Sequence, residues 1–206
     1  MSDEGISPRG LGVFADYLIG AGTARMKIIA DQRKRFDDPN SGAPFAYAAA
    51  LGGLRQSVIT GDVLELRRMV FRAPKNMVAH YEQLAEGMQA FVEKHRPQYL
   101  RTNAASWQWG ALPITVNQQI GMSIKGKSTI VFLYLKRPEL SSDGATKVIW
   151  RTLELTADQV LPAADVAVLD VRRARLLRPT GKDRAKLDAW IESEALGYVE
   201  HWKRAA

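Results

Sequence analysis

One segment of the chain fits the consensus of a nucleotide-binding loop. Residues 121–128 read Gly-Met-Ser-Ile-Lys-Gly-Lys-Ser, which matches G-x-x-x-x-G-K-[ST]. In such a loop backbone amides surround the phosphates, the lysine reaches the β- and γ-phosphate oxygens, and the hydroxyl binds magnesium. A carboxylate at the end of a buried strand completes the magnesium site. In a small NTPase of this kind the nucleotide would be held by Gly121, Gly126, Lys127, Ser128 and Asp170.

The sequence around this motif favours a β-hairpin. A phosphate-binding loop is followed by a helix, because the phosphates lie at the helix N-terminus. Here residues 129–135 read Thr-Ile-Val-Phe-Leu-Tyr-Leu, a composition typical of a strand. Apolar residues alternate at positions 120, 122 and 124, and Gly126 supplies a turn between the two strands. We therefore predict a hairpin and no bound cofactor, with the small P-loop NTPase as an alternative.

Basic residues concentrate in three segments of the chain. Arginine predominates in them, which suits bidentate contacts with phosphate groups. The net charge of +7 likewise favours nucleic acid or another acidic partner. The opposing interpretation is that these residues form solvated faces that only maintain solubility. The three clusters are Arg25, Lys27, Arg33, Lys34 and Arg35; Arg67, Arg68, Arg72 and Lys75; and Arg172, Arg173, Arg175 and Arg178.

Other catalytic chemistry has few candidate residues. The chain has no cysteine, which excludes disulfides, thiolate metal sites and a cysteine nucleophile. The three histidines, His80, His95 and His201, are too few for an imidazole-rich metal site. None of them lies in a recognised pattern with a serine or a carboxylate. We predict no metal, no cofactor and no catalytic set.

A metal-dependent nuclease is a further alternative, because helix and strand order resemble a restriction-endonuclease-like core. Such a site needs an acidic residue on one strand and D/E-x-K on the next, to bind magnesium and orient water. The nearest equivalents are Tyr134-Leu135-Lys136 and Asn117, which supply no carboxylate. The sequence therefore allows only a degenerate, binding-only relative of that core.

The five tryptophans would stack on unpaired bases if exposed, or fill the core if buried. We predict that Trp190 and Trp202 are buried. Trp107 and Trp109 lie on one face of a strand, so they are either both buried or both exposed.

The elements that position these residues change in character near residue 96. Upstream, apolar residues recur at helical spacing and predict helices over about 8–19, 23–36, 44–60, 62–73 and 75–95. Downstream, alternation with period two predicts strands near 107–109, 114–116, 120–124, 129–135, 166–171 and 175–178. Helices are predicted over 143–155, where residues 148–150 also allow a strand, and over 182–203. The fold class is α+β, with an N-terminal helical bundle-like half packed against a mainly antiparallel sheet and a C-terminal helix. The halves are 1–96 and 97–206, or they form one integrated domain.

The first residues, Met-Ser-Asp-Glu-Gly, are acidic where a signal peptide is basic. No apolar run has the length of a membrane span. We predict a cytoplasmic protein.

The second half of the chain resembles a group of uncharacterised actinobacterial proteins. The residues that carry this resemblance are Trp109-Gly110, Val116-Asn117, Gly121, Gly126, residues 133–136 and residues 168–173. The group has no assigned activity, so the resemblance implies no catalytic residues. It does favour the hairpin around Gly126.

The leading hypothesis from sequence is a non-enzymatic protein that binds nucleic acid or another acidic partner through the basic faces of its N-terminal helices. The second hypothesis, from a different class, is a protein–protein interaction or assembly module whose charge serves solubility. In that case an apolar patch would be exposed on the helical half.

Overall fold

The computed structural model describes residues 6–38, 43–141, 143–181 and 183–205, without the side chains of 43–46. No helix in these ranges is long and apolar enough to cross a membrane. The helices are α1 (Leu11–Ile19), α2 (Thr23–Asp37), α3 (Ala43–Thr60), α4 (Leu64–Phe71), α5 (Val78–His95), α6 (Ala145–Val160) and α7 (Arg184–Arg204). The strands are β1 (Arg9–Gly10), β2 (Gln98–Leu100), β3 (Ala105–Trp109), β4 (Leu112–Val116), β5 (Gln119–Ile124), β6 (Lys127–Tyr134), β7 (Asp165–Asp170) and β8 (Arg175–Leu177). The predicted α+β class is confirmed.

The strands form two sheets. The large sheet has the order β2-β5-β6-β7-β8, and the small sheet has the order β1-β4-β3. All pairings in the large sheet are antiparallel except that of β6 with β7, which is parallel. A parallel pair needs a long crossover connection, and α6 provides it. The large sheet is therefore mainly antiparallel, as predicted, and contains one parallel pair, β6 with β7.

The segment with the nucleotide-binding consensus is a hairpin, as predicted. Ile124 pairs with Lys127 and Ile120 pairs with Val131 across β5 and β6. Lys125 and Gly126 have φ angles of 52° and 77°, the left-handed conformation that a two-residue hairpin turn requires. Because a strand follows the turn, its backbone groups pair with β5 and β7. These residues therefore do not form a phosphate-binding loop.

The two faces of the large sheet bury two separate cores. Along β6, Ile130, Phe132 and Tyr134 enter the first core, whereas Val131 and Leu133 enter the second. Helices α1, α2, α6 and α7 and the small sheet contribute to the first core, and α3, α4 and α5 contribute to the second. Each core thus contains residues from both sides of position 96.

Helix α5 packs closely against the short turn that joins β7 to β8. A Cβ atom at Gly87 would collide with the carbonyl oxygen of Val171 and lie 2.9 Å from its carbonyl carbon. Glycine is therefore required for this contact. The contact fixes α5 over the sheet, so that its last turn, with Lys94 and His95, lies near β8.

Candidate anion-binding groove

The first predicted basic cluster lies on α2 and partly serves packing. Arg25 forms an ion pair of 2.8 Å with Glu194, and Arg33 donates a 2.8 Å hydrogen bond to the carbonyl oxygen of Trp202. Both contacts attach α2 to α7. Lys27 and Lys34 are exposed. Arg35 is also exposed and donates to the carbonyl oxygen of Asp31.

The second predicted cluster lies on and just after α4, away from the first. Arg68 pairs with Glu65 within the same helix, while Arg67 and Arg72 are exposed. Helix α2 packs into the first core and α4 into the second. The two N-terminal clusters therefore lie on helices that pack into different cores, and the contact of their basic faces with nucleic acid stays a prediction.

Three of the four arginines of the third predicted cluster line a groove that runs along β8, here called the β8 groove. It has a volume of about 760 Å³ and lies between β8, the last turn of α5 and the tip of the β5–β6 hairpin. One carboxylate, Asp165, is among its lining residues. Its lining cations are Lys94, Lys125, Lys127, Arg173, Arg175 and Arg178.

Three lysines distinguish this groove from the sequence prediction. Lys94, Lys125 and Lys127 are exposed and have no ion-pair partner among the described residues. Lys94 and Lys125 belong to none of the sites predicted from sequence, and Lys127 was predicted to bind a ligand only as part of a phosphate loop. The sequence did contain a signal for two of these lysines, because Lys125 and Lys127 flank Gly126 in the predicted hairpin turn. Lys94, however, is distant in sequence, and only the packing of α5 brings it to the turn.

The arginines of the groove have weak or shared partners. Arg175 lies 2.7 Å from Glu139, and Arg178 lies 3.7 Å from Asp165. Both carboxylates are 57% exposed. Exposed pairs of this kind contribute only about 0–1 kcal/mol, so a polyanion can replace these carboxylates at little cost. The groove thus holds excess positive charge that is accessible from solvent.

The pKa of His95 responds to the positive charges of the groove. Burial lowers its pKa below the usual value of 6.5, and the positive charges of Lys94, Lys125 and Arg178 lower it further. Its ring packs on Phe91 with a centroid distance of 4.8 Å. A bound anion would oppose the effect of these cations and raise the pKa of His95.

Arg172 is the member of the third cluster that points elsewhere. It donates to the carbonyl oxygen of Leu135 at 3.2 Å and contacts Gln83 and His80 on α5. Burial lowers the pKa of its guanidinium. Arg172 therefore connects α5 to the end of β6, and its contact with nucleic acid alongside Arg173 and Arg175 stays a prediction.

The remaining residues of the NTPase alternative are dispersed. Gly121 lies in β5 where a Cβ atom would collide with the carbonyl oxygen of Leu100, so glycine here allows close strand pairing. Ser128 is exposed at the start of β6. Asp170 is fully buried at the far end of β7, about 23 Å along the strands from Lys127 at 3.3 Å per residue. No shared magnesium site can form from these residues.

Two residues of the nuclease alternative, Tyr134 and Lys136, belong to a second polar group at the carboxyl ends of β6 and β7. This group, here called the carboxyl-end cluster, consists of Asp16, Tyr134, Lys136, Asp170 and Arg173. Tyr134 is buried, Lys136 pairs with Asp16 of α1, and Arg173 donates to Asp170 at 3.0 Å. Tertiary structure thus places two carboxylates near the end of β6, Asp16, which was not predicted for any site, and Asp170, which was predicted only for the NTPase alternative. The described residues nevertheless contain no group of three or more metal-binding side chains. Asn117 lies at the same end of the sheet, just before β5 on the side toward β2, and its backbone carbonyl oxygen accepts from Arg55.

Burial dominates the electrostatics of the carboxyl-end cluster. Desolvation raises the pKa of Asp16, although the positive charge of Lys136 opposes the shift. Desolvation also raises the pKa of Tyr134 far above its usual value, and the negative charges of Asp16 and Asp170 add to the effect. The Tyr134 hydroxyl has no hydrogen-bond partner among the described residues. These side chains are therefore enclosed in the fold.

Most of the tryptophans belong to the core. Trp109 is 2% exposed and donates from Nε1 to Thr152 Oγ1 at 3.0 Å, while Trp107 packs beside it and is partly buried. Trp202 is buried as predicted, and Trp190 is only partly buried. None of the five tryptophans is therefore largely exposed to solvent.

No family model matches the chain, and no curated protein or solved structure is significantly similar to it. The resemblance to actinobacterial proteins stays a prediction.

Proposed function

We propose that this protein binds nucleic acid without catalysing a reaction and that the phosphate backbone lies in the β8 groove. The observation that carries this proposal is the convergence of six cations and one carboxylate on a single groove. Such a concentration of charge raises the local concentration of a polyanion and speeds its association.

The dimensions of the groove suit a phosphate backbone. From Arg175 through β8 to Arg178 the chain advances three residues, which spans about 10 Å at 3.3 Å per residue. Along one strand of nucleic acid the phosphates are about 3.4 Å apart in axial rise, so this length accommodates about three phosphates. The lining side chains are mainly flexible lysines and arginines, which bind phosphates without reading base sequence.

The proposal is tested by fluorescence anisotropy with a labelled single-stranded 20-mer, as DNA and as RNA, at 50 and 200 mM salt. We expect affinity to fall linearly in log salt. The variant Lys125→Ala/Lys127→Ala should bind more weakly and reduce the slope by about 1.4–1.8, because each phosphate contact contributes about 0.7–0.9.

The matched control is Lys27→Ala/Lys34→Ala on α2. It removes the same charge from an exposed surface outside the groove, so it should leave the affinity and slope close to those of the wild type. Equal losses in both variants would show that only net charge matters. A loss confined to the α2 variant would instead support binding by the helical half. A poly-glutamate peptide that binds as tightly as the oligonucleotide would favour an acidic protein as partner.

The second candidate function is an interaction module, favoured by exposed apolar residues on α4. Phe71 is 92% exposed and Leu64 is 47% exposed, whereas most large apolar side chains are buried. Exposed apolar groups of this size favour contact with another protein. Sedimentation of the wild type and of Phe71→Ser across a range of protein concentrations tests self-association through this surface. A mass that stays at 22.9 kDa in both would contradict it.

A further inference from the structure

A second cavity lies at the opposite edge of the large sheet from β8. It has a volume of about 260 Å³ and lies between the last turns of α3 and the end of β2. We call it the β2 pocket. Its lining includes Arg55, Ile59, Tyr99, Thr102, Asn103 and Asn117.

The β2 pocket differs from the β8 groove in its chemistry. Asn103 and Asn117 each carry an amide with both donors and an acceptor, the groups that recognise base edges. Arg55 supplies the single positive charge of the lining, and burial lowers the pKa of its guanidinium. It donates a 3.0 Å hydrogen bond to the carbonyl oxygen of Gln119, which fixes the guanidinium plane.

Tyr99 supplies an accessible aromatic ring at this site. Its side chain is 39% exposed, in contrast to the buried Trp109. It lies on β2, an edge strand that pairs only with β5 among the described residues. An exposed ring beside polar amides can stack on an unpaired base while the amides bind its edge.

Strand β5 extends from the groove to the pocket. Ile124 lines the groove and Ile120 lines the pocket, and both belong to β5. Four residues of strand separate them, which corresponds to about 13 Å, or about four nucleotides at the axial rise of a stacked strand. Exposed Arg96, Gln98 and Arg101 lie along the edge between the two sites.

We propose that the nucleic acid is single-stranded, with phosphates in the β8 groove and one unpaired base in the β2 pocket against Tyr99. This inference rests on the proposed function and deepens it. A duplex holds its bases paired and stacked, so it cannot place one in the pocket without unpairing it.

The test compares two labelled 12-mers of equal phosphate number, a thymidine strand and the same strand made of abasic sites. Wild-type protein should bind the thymidine strand about tenfold more tightly, since base–aromatic stacking contributes on this scale. Tyr99→Ala should abolish that difference while leaving affinity for the abasic strand unchanged. Phe71→Ala is the matched control, because it removes an even more exposed aromatic ring outside the groove and the pocket.

A second measurement is independent of how Tyr99→Ala folds. A strand carrying 5-iodouracil should form a photo-cross-link to Tyr99 of the wild-type protein, identified by mass spectrometry. Equal, salt-sensitive binding of both 12-mers would overturn the single-strand inference and leave the proposed function standing. Tighter binding of a 12-bp duplex than of the thymidine strand would do the same. If neither 12-mer binds at 50 mM salt, both proposals fail.

Discussion

The β8 groove and the carboxyl-end cluster use similar residue types on the same pair of parallel strands, with opposite consequences. In the groove the lysines are exposed and unpaired among the described residues, and the carboxylates opposite the arginines are mostly exposed. In the cluster Asp170 and Tyr134 are buried, and Asp16 and Asp170 each have a cationic partner. Exposed charge without a partner is available to a ligand, whereas buried charge that is paired fixes the structure.

We therefore expect substitutions around the carboxyl-end cluster to alter stability and substitutions in the β8 groove to alter nucleic-acid binding. Arg173 belongs to both, since it lines the groove and pairs with Asp170. Helix α5 also lies against both regions, through Gly87 at its middle, which packs on Val171 next to Asp170, and through His95 at its C-terminal end.

The largest expected effect is that of Gly87→Ala. The new methyl group would collide with the backbone of Val171, and we expect the free energy of unfolding to fall by about 3 kcal/mol. Urea denaturation measures it. Gly52→Ala in α3 is the matched control, because nothing lies within 4 Å of its Cβ position. There the gain in helix propensity should stabilise the protein by about 0.5–1 kcal/mol. A neutral Gly87→Ala would contradict the close packing of α5 on the β7–β8 turn.

Asp170→Asn should have the next largest effect. It removes a buried carboxylate from Arg173, and because Arg173 is partly exposed and can be solvated, we expect a loss of about 1–2 kcal/mol of stability. Nucleic-acid affinity should stay the same or rise, since the change removes a negative charge near the groove. Denaturation and anisotropy on one preparation give both values. Weaker binding at unchanged stability would reverse the roles assigned to the two regions.

Tyr134→Phe should stabilise the protein by up to about 1 kcal/mol, because it removes a buried hydroxyl that lacks a partner among the described residues. Tyr198→Phe makes the same chemical change where the hydroxyl donates to Gln32 at 2.9 Å, and it should cost about 1 kcal/mol. Thermal and urea unfolding compare the two variants. Destabilisation of similar size in both would show that Tyr134 has a partner.

The smallest expected effect is the contribution of His95 to the pH dependence of binding. Its pKa in the free groove is depressed below 6.5, and a bound polyanion should raise it. Proton uptake then accompanies binding, so affinity should increase as the pH falls through the pKa of the complex. The gain should level off below the pKa of the free protein. Between pH 7.5 and 5.5 we expect a two- to fivefold gain, the scale of one exposed charge pair.

His95→Gln should lose this increment and retain the rest of the pH profile, including any contribution from His80 and His201. An identical profile in wild type and variant would exclude His95 from the groove's electrostatics.

Local sequence was sufficient where neighbouring residues determine structure. The alternation at 120–124 and the glycine at 126 predicted the β5–β6 hairpin, because a turn and its two strands are adjacent in the chain. The third basic cluster was found for the same reason, since its residues follow one another along the β7–β8 turn. By contrast, the sequence showed that the first two clusters are positively charged but did not show which residues they contact. Arg25 and Arg33 contact α7, more than 160 residues away in the chain.

The sequence by itself determined the fold class, the net positive charge and the hairpin that excludes a phosphate loop. Only tertiary structure decided which charges lie together. It places Lys94 of α5 near the hairpin lysines, directs Arg172 toward α5 and the end of β6 instead of the groove, and pairs Asp16 with Lys136. The physical reason is that strand pairing and helix packing join residues distant in the chain, whereas periodicity and turn chemistry report only on neighbours.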